Sequence, residues 1–469
     1  MSENTVSKEE RRENQIVSGN ILGQLLLFFF PILLGTFFQQ LYNTADAMVV
    51  GRFVGKEALA AVGGSTSTLI NLLVGFFVGL SSGATVVISQ YYGAQKKDKV
   101  HWAVHTSVAF SIIAGIGMTI LGVLGARPAL RAMKTPDDVM SHAMIYLCIY
   151  FVGTIPNLLY NMGAGILRAI GDSKRPLYFL IASCFTNIFL DLLLVAVFHM
   201  GVAGAAIATI ASQFLSAVLV LGRLMRTSDI YRLEWKKVRI DQRMLGRIIR
   251  IGLPAGLQSV MYNISNVIIQ TGVNSLGTDP VTAWATYGKV DGLFWMIINA
   301  LGISVTTFVG QNYGAGKIDR VRKGAGICMG IAVFLAVSVS AGVCAGGHFL
   351  IELFTTDDTV RQISLELIHF LVPTYITYIT IEILSGTLRG VGDTLRPLMI
   401  TGIGICLVRV LWIIFVLPLR PDIMTAGFSY PLTWSLTSIA FVVYYYFFSP
   451  LKRWDAMRRI RKLYFKLAR

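Results

Sequence analysis

Charged residues are scarce in this sequence. Asp, Glu, Lys and Arg make up 14% of its 469 residues, whereas 54% are hydrophobic, and the mean hydropathy is +0.64. Roughly a quarter of the residues in a soluble globular protein are charged. Apolar runs of more than about 18 residues, enough to cross about 30 Å of hydrocarbon, recur along the chain. The composition therefore predicts a polytopic membrane protein without a large soluble domain.

Cysteine is also scarce, and no cysteine or histidine pattern indicates a metal site. The cysteines stand singly in apolar runs and are expected to be small packing residues without disulfides. They are Cys148, Cys184, Cys328, Cys344 and Cys406. His101 and His105 are four residues apart but lack the intervening Glu of a zinc protease, so we expect them at the membrane surface. No convergent nucleophile and base is visible, which argues against an enzyme.

Lysine and arginine are distributed unevenly between the predicted spans. If the N-terminus is cytoplasmic, most of the 41 Lys and Arg fall on the cytoplasmic side. This bias predicts that both termini lie in the cytoplasm. The first 20 residues are polar and charged, so we expect no signal peptide. The basic residues behind the net charge of +16 lie mostly in the predicted cytoplasmic segments, so this charge does not indicate nucleic acid as a partner.

Twelve apolar spans are predicted, six on each side of the one long polar link. This pattern predicts an all-α fold of two six-helix lobes. The final segment alternates apolar and basic residues at helical spacing, which favours an interfacial helix on an anionic lipid leaflet, with a partner-binding helix as the alternative. The predicted organisation is an N-terminal cytoplasmic tail (1–20), an N-lobe (21–226), a cytoplasmic linker (227–245), a C-lobe (246–449) and an amphipathic helix (450–469).

The two halves of the chain repeat one another. A shift of about 221 residues brings LRAIGDSKRPL (167–177) onto LRGVGDTLRPL (388–398), with seven identities in eleven positions. The same shift brings the Gln-x-Tyr-Gly-Ala segment at 90–94 onto that at 311–315. Six spans separate the copies, and an even number preserves sidedness. The lobes are therefore predicted to be related by a pseudo-two-fold axis along the membrane normal, as in alternating-access transporters.

The two LR-x-x-GD loops are candidates for cytoplasmic gating. Their glycine allows a tight turn, their aspartate can cap the turn or pair with a nearby arginine, and their proline opens the next helix. The residues concerned are Arg168 and Asp172 in the first loop and Arg389 and Asp393 in the second. The alternative is that these loops only turn the chain.

A polar stripe runs along the first span. Gln39, Asn43 and Asp46 fall at i, i+4 and i+7 and so share one helix face. A carboxylate inside a span costs about 2.5 to 3.5 kcal/mol on insertion scales, so a function for it is favoured over a mere helix-end cap. In span five, Asn187 and Asp191 stand at i and i+4 and share a face. Asp46, with Asn43 beside it on the stripe, and the pair in span five are therefore candidate functional residues.

These features together resemble the multidrug and toxic compound extrusion (MATE) transporters, and most closely their bacterial DinF-like branch. The resemblance rests on the six-plus-six layout, the first-span stripe, the repeated Gln-x-Tyr-Gly-Ala ends, the paired LR-x-x-GD loops and the NIFLD sequence of span five. It implies a V-shaped monomer in a bacterial plasma (inner) membrane that exports amphiphilic and often cationic compounds. Inward movement of a proton or sodium ion would drive the export, with no other cofactor.

The resemblance also implies the members of the cation site. In the DinF-like branch, the matching first-span Asp and the Asn and Asp of span five bind the cation, which assigns Asp46, Asn187 and Asp191. The family places a further asparagine on span four, where this chain has Ala164, so Asn161 is taken as its substitute. Two buried carboxylates can share a proton or be neutralised by a transient sodium ion, and no other metal is expected.

The second half carries four charged residues inside its spans. They are Lys289, Asp291, Glu382 and Arg409. They either take part in coupling or form structural pairs, Glu382 with Arg409 and Asp291 with Lys289, because pairing offsets the cost of burial. For Asp291 we expect the structural pair with Lys289.

The substrate is expected to bind in a cleft between the lobes, lined by aromatic residues and methionine. The candidates, some of which are expected only to pack, are Phe37, Gln39, Tyr42, Met261, Tyr262, Trp284, Tyr287 and Met296. The rival function is a flippase for a lipid-linked sugar or cell-wall precursor. Such a protein should place several Arg and Lys in its cavity to bind pyrophosphate, and only Lys289 and Arg409 are available.

Overall fold

The computed structural model describes residues 15–133 and 135–452. Within these ranges the chain is helical and forms no strand, which confirms the prediction of an all-α protein. The five cysteines are free thiols. Most of the predicted N-terminal tail, and the predicted amphipathic helix beyond residue 452, lie outside the described residues.

The helices of the first half of the chain are α1 (Gln15–Ser18), α2 (Ile21–Phe53), α3 (Lys56–Gly63), α4 (Ser65–Gly93), α5 (Lys97–Ala132), α6 (Asp137–Val152), α7 (Thr154–Ala169), α8 (Lys174–Asp191) and α9 (Gly201–Arg226). Those of the second half are α10 (Gln242–Asn274), α11 (Thr278–Gly314), α12 (Ile318–Glu352), α13 (Asp358–Leu371), α14 (Ile376–Val391), α15 (Leu395–Thr401), α16 (Val408–Leu411) and α17 (Ile423–Phe447). π-Helical turns extend α8 (Leu192–Val197), link α15 to α16 (Gly402–Leu407) and follow α16 (Trp412–Val416).

Most of the predicted spans are present as long apolar helices. Among the described residues, ten helical stretches are long and apolar enough to cross a membrane, and α6 with α7, bent by 49°, would form an eleventh. The remaining predicted span is α10, which has 33 residues. Gln258, Asn263 and Asn266 in its middle make it less apolar than the others. The chain is therefore a multi-pass membrane protein.

The sequence repeat is also a repeat of backbone geometry. Gly171 and Gly392 occupy equivalent positions in the two LR-x-x-GD loops and have φ angles of 103° and 95°. Gln95 and Gly316, which follow the two Gln-x-Tyr-Gly-Ala segments, have φ angles of 56° and 73°. Left-handed backbone at matching positions, in one case without glycine, shows that both turns are kept in both halves.

The aspartates of the two loops cap and pair as the sequence suggests. Asp172 accepts hydrogen bonds from the backbone N–H of Arg175 at 3.1 Å and from its guanidinium at 2.7 Å. Asp393 pairs with Arg396 at 3.3 Å and accepts a hydrogen bond from the Tyr444 hydroxyl at 2.5 Å. Each aspartate thus fixes the start of the next helix. A gating role for the loops stays a prediction.

The other two residues of the predicted gates lie at the ends of the preceding helices. Arg168 is in the last turn of α7 and Arg389 in the last turn of α14, and both are half-buried. The Arg168 Nε is buried without a hydrogen-bond partner in the part of the chain that the structure describes.

Contacts divide the described chain into two compact units. The first unit comprises residues 27–260, and the second comprises residues 15–26 and 261–452. Helices α2 and α10 therefore each begin in one unit and end in the other. In the first unit, Met244, Ile248 and Ile251 of α10 belong to the same hydrophobic cluster as residues of α4, α5, α7 and α9.

The first half of α10 approaches α4 closely through glycines. A Cβ atom added to Gly83 would lie 2.4 Å from the carbonyl oxygen of Ile248, and one added to Gly252 would lie 2.3 Å from that of Leu80. The two backbones therefore touch, as small residues allow between membrane helices.

The central linker is packed onto the first unit. Tyr231 and Leu233 are buried in its hydrophobic cluster. His105 Nε2 accepts a hydrogen bond from the backbone N–H of Glu234 at 3.0 Å, and the hydroxyl of Thr106 accepts one from the N–H of Asp241 at 3.1 Å. His105 is fully buried beneath the linker. Its expected place at the membrane surface stays a prediction. The linker covers His105 because the ring supplies the acceptor that the Glu234 N–H needs.

Replacing His105 with phenylalanine is expected to loosen the linker. Phenylalanine keeps the ring but removes the acceptor, which leaves the Glu234 N–H unpaired at a cost of about 1 to 3 kcal/mol. Trypsin should then cleave at Lys236 and Lys237 about tenfold faster than in the parent protein. The control is His348→Phe, at an exposed histidine of the second unit. Equal cleavage rates in both variants would show that His105 does not hold the linker.

In the second unit, the N-terminal helix α1 is fixed to the loop between α11 and α12. The carbonyl oxygen of Ile16 accepts hydrogen bonds from Asn312 at 3.2 Å and from Arg320 at 3.1 Å. Lys317 donates to the carbonyl oxygen of Val17 at 3.0 Å. The segment that leads into α2 is thus anchored on the second unit, whereas the linker that leads into α10 is anchored on the first.

Candidate cation-coupling site

Asp46 is a buried carboxylate on α2. Its side chain is 6% exposed. The hydroxyl of Tyr146, on α6, donates a long hydrogen bond of 3.4 Å to Asp46 Oδ2. Among the described residues, Oδ1 has no hydrogen-bond partner. One oxygen of this carboxylate is therefore free to bind a proton or a cation.

Asp191 and Asn187 lie on one face of α8 and are fully buried. Neither oxygen of Asp191 and neither amide atom of Asn187 has a hydrogen-bond partner within the described ranges. The carboxyl groups of Asp191 and Asp46 lie within hydrogen-bonding reach of each other. The structure thus brings together, from α2 and α8, the two carboxylates that the sequence places 145 residues apart.

The local sequence explains how α8 presents this face. The helix begins after the Asp172 turn and runs without interruption to Asp191, so the i, i+4 spacing sets Asn187 and Asp191 one turn apart. A π-helical turn, Leu192–Val197, follows Asp191 directly. π-Helical turns are rare and often occur at functional sites.

The chemistry of this group favours uptake of one positive charge. Buried polar atoms are almost always hydrogen-bonded, yet Asp46, Asp191 and Asn187 together leave five side-chain atoms without partners among the described residues. Two ionised carboxylates cannot donate to each other. A shared proton would link them, and a small cation could be held by the carboxylate oxygens and the Asn187 carbonyl.

Two tyrosines and an asparagine beside this group are not among the predicted site residues. Tyr146 stacks on Tyr150 with ring centroids 6.3 Å apart. Asn157 donates to the Tyr150 hydroxyl at 3.5 Å, and Asn161 donates to Asn157 Oδ1 at 2.6 Å. Within the described residues, the predicted ligand Asn161 is therefore linked to Asp46 through this series of contacts and does not contact it directly. The signal in the sequence that could have identified this series is the pair of Tyr146 and Tyr150, which are four residues apart in span four.

The remaining candidates of α2 differ in exposure. Gln39 and Asn43 are exposed, although they share a stripe with buried Asp46. Tyr42 is half-buried, interacts with the Gln39 side chain and lies near Asp46. Phe37 is 48% exposed. Contact of these residues with substrate stays a prediction.

Asp291 is held by neutral donors. Its carboxylate accepts hydrogen bonds from Tyr375 at 2.6 Å, Trp295 at 2.6 Å and Tyr287 at 3.3 Å. Lys289 is exposed. The expected pairing of Asp291 with Lys289 is therefore wrong, because hydrogen bonds to the charged form stabilise this carboxylate without an opposite charge.

Glu382 and Arg409 also have other partners than expected. The hydroxyl of Tyr378 donates to Glu382 at 3.3 Å, and the Glu382 side chain lies against Gly302. Arg409 donates to the hydroxyl of Thr433 at 3.0 Å. The suggested Glu382–Arg409 pair is thus replaced by separate polar contacts.

The predicted cleft residues of the second unit lie among its aromatic side chains. Trp284 contacts the ring of Tyr287 with centroids 5.8 Å apart. Tyr262 lies near Tyr378, and the Met261 side chain packs against Gly402 in the turn after α15. Met296 is half-buried. Their contact with substrate also stays a prediction.

Two repeated sets of membrane helices, with a pair of buried carboxylates in one of them, define a multi-pass membrane transporter. The sequence model of the MatE family matches residues 31–193 and 254–414, one segment in each repeat. The chain belongs to this family, the MATE transporters. Since its members are transporters, the prediction that the protein is not an enzyme is confirmed.

Known relatives match the chain over most of its length. It is 28% identical over 430 residues to the probable multidrug resistance protein YoeA of Bacillus subtilis, covering 90% of this chain and 92% of YoeA. It is 30% identical over 402 residues to the probable multidrug resistance protein YpnP of the same organism, covering 83% and 87%. The solved structure of a MOP superfamily transporter from Pyrococcus furiosus superposes with a TM-score of 0.85 at 21% identity, covering 92% and 96%, and supports the fold.

Proposed function

We propose that the protein is a secondary active antiporter that exports amphiphilic, often cationic organic compounds in exchange for inward movement of a proton or a sodium ion. The observation that carries this proposal is the buried pair of Asp46 and Asp191, in which three of the four carboxylate oxygens lack partners among the described residues. Membership of the MATE family and the relatives named as multidrug resistance proteins support the substrate class.

Coupling follows from the charge of this pair. When both carboxylates are ionised, they repel each other and must be stabilised by water or a cation. When a proton or a sodium ion is bound, the net charge of the pair is smaller and its burial costs less free energy. If the substrate is bound in one charge state and released in the other, loading of the cation drives release. Tyr146 stabilises ionised Asp46 by its hydrogen bond, and Asn187 offers an amide oxygen to sodium.

The orientation belongs to the same proposal. The excess of Lys and Arg in alternate links supports cytoplasmic termini in a bacterial plasma membrane. Lipid surrounds the spans, and the protein acts as a monomer. The closer affiliation with the DinF-like branch rests on the first-span carboxylate and the NIFLD segment.

Ethidium transport in proteoliposomes tests this function. The purified protein is reconstituted and ethidium movement is followed under a proton gradient alone and then under a sodium gradient alone. We expect transport under one of them, with loss when an ionophore collapses that gradient. Transport under neither gradient would contradict the proposal and favour a flippase for a lipid-linked precursor.

A further inference from the structure

The second unit contains a buried cation that the coupling site does not use. Arg409 is 3% exposed. Its guanidinium carbon lies 3.9 Å from the centroid of the Tyr430 ring and 6.0 Å from that of Trp434. One nitrogen donates to Thr433, and Nε has no hydrogen-bond partner among the described residues. Aromatic faces thus supply much of the stabilisation of this charge.

The rings around Arg409 belong to a larger aromatic group. Tyr430 packs edge-on against Trp434 with centroids 5.4 Å apart, and Trp434 packs against Trp295 at 6.2 Å. Trp284 lies 5.7 Å from Tyr430. Aromatic groups of this kind bind organic cations, such as quaternary ammonium ions, through the negative faces of the rings. We call Trp284, Trp295, Tyr430 and Trp434 the aromatic cage.

A carboxylate adjoins the aromatic cage. Trp295 packs against Trp434 and also donates to Asp291 at 2.6 Å. The charge of Arg409 acts electrostatically on Asp291. The cage therefore has the two components that bind an organic cation, aromatic faces and a negative charge, while the chain itself supplies the cation.

The repeat places Arg409 beside the position that matches Asn187 of the coupling site. The shift of 221 residues aligns Arg409 with Ile188, next to Asn187. A π-helical turn follows α8 directly after Asp191, and another, Trp412–Val416, follows α16 at the equivalent position. The positions that match Asn187 and Asp191 are Val408 and Trp412, so the second unit lacks these polar side chains and carries a guanidinium on the residue after Val408.

We propose that Arg409 is a tethered cation that occupies the aromatic cage and excludes organic cations from it. Arg409 then determines the specificity of the transporter by confining cation exchange to the first unit. Only this consequence for specificity rests on the proposed antiport. Occupancy of the aromatic cage by Arg409 does not depend on it. Removing the guanidinium takes away the positive charge that acts on Asp291 and opens the ring faces, and both changes favour uptake of a cation from outside.

Binding of tetraphenylphosphonium to the purified full-length protein tests the proposal. Asp46→Asn is present in every sample, so that binding at the first unit is reduced to a common background. Arg409→Gln in this background should bind tetraphenylphosphonium about tenfold more tightly than the parent, measured by equilibrium dialysis and by quenching of tryptophan fluorescence. Arg409→Met, which removes the charge but keeps an apolar stem, should show the same gain.

Two controls separate a cation cage from a general loosening of the unit. Arg409→Lys keeps a charge in place and should bind as weakly as the parent. Adding Asp291→Asn to Arg409→Gln should abolish the gain. The neutral probe triphenylphosphine oxide should bind equally to all variants.

Failure of both charge-removing variants to bind the cation more tightly than the parent would overturn the proposal, and so would an equal gain for the neutral probe. Each protein is first shown to be monodisperse by size-exclusion chromatography. The assay involves no ion gradient and no transport, so a negative result leaves the antiport proposal intact, whereas absence of gradient-driven ethidium transport would refute antiport without affecting this assay.

Discussion

Replacing Asp46 with asparagine is expected to reduce gradient-driven ethidium transport to the level of protein-free liposomes. Asparagine has nearly the same shape but cannot take up a proton or supply a charge to sodium, so loading of the site no longer changes its charge. The variant should remain inserted and folded, because a buried negative charge has been removed and none has been added. Transport is measured in proteoliposomes, and folding by size-exclusion chromatography and thermal unfolding.

The matched control is Asp279→Asn, which removes an exposed carboxylate from the first turn of α11 and should leave transport unchanged. Asp191→Asn should reproduce the loss, since a shared proton or cation needs both carboxylates. Parental transport by Asp46→Asn would refute the assignment of coupling to this pair. Loss in the Asp279 variant as well would point to a general effect of charge.

Replacing Gly83 with leucine is expected to prevent most of the protein from folding. A Cβ at Gly83 would lie 2.4 Å from the backbone oxygen of Ile248 and 2.6 Å from the backbone nitrogen of Gly252. Both are backbone atoms inside helices, so they cannot rotate away, and α4 and α10 would have to separate. Overpacking of a membrane protein's helix contact by a whole side chain should lower the yield of monodisperse protein about tenfold.

The control for this substitution is Gly117→Leu. Gly117 lies within α5, and a Cβ there would meet nothing within 4 Å. Both substitutions change helix propensity and apolar character in the same way. Any difference between the two variants is therefore due to the close approach of α4 and α10 at Gly83. Equal yields after expression and purification would show that α4 and α10 need not touch.

The architecture could be predicted because its signals are local. The length of each apolar run predicts a membrane span. The repeated LR-x-x-GD and Gln-x-Tyr-Gly-Ala segments predict turns, and the structure shows a left-handed residue in each of them. The candidate site was predicted only in part. Asn187 and Asp191 share a face by helical spacing alone, but nothing in the spacing brings Asp46 to them, and that expectation came from the family resemblance.

Contacts between distant side chains account for most of what was missed. Asp291 was expected to pair with Lys289 because opposite charges are the simplest way to satisfy a buried carboxylate. Trp295, four residues away, was visible in the sequence as a donor. Tyr375 was not visible as a donor, because it lies 84 residues from Asp291 along the chain. Only the packing of the helices brings the two side chains together. The linker was likewise taken for a polar boundary, although Tyr231 and Leu233 in it are buried.

The passage of α2 and α10 between the two units makes the repeat resemble a domain swap within one chain. Cutting the chain in the linker, where the repeat suggests a boundary, would separate the first unit from Met244, Ile248 and Ile251, which complete its hydrophobic cluster. The second unit would lose α1 and the start of α2. A half-length fragment cut at the linker would therefore lack helix ends that belong to its own compact unit.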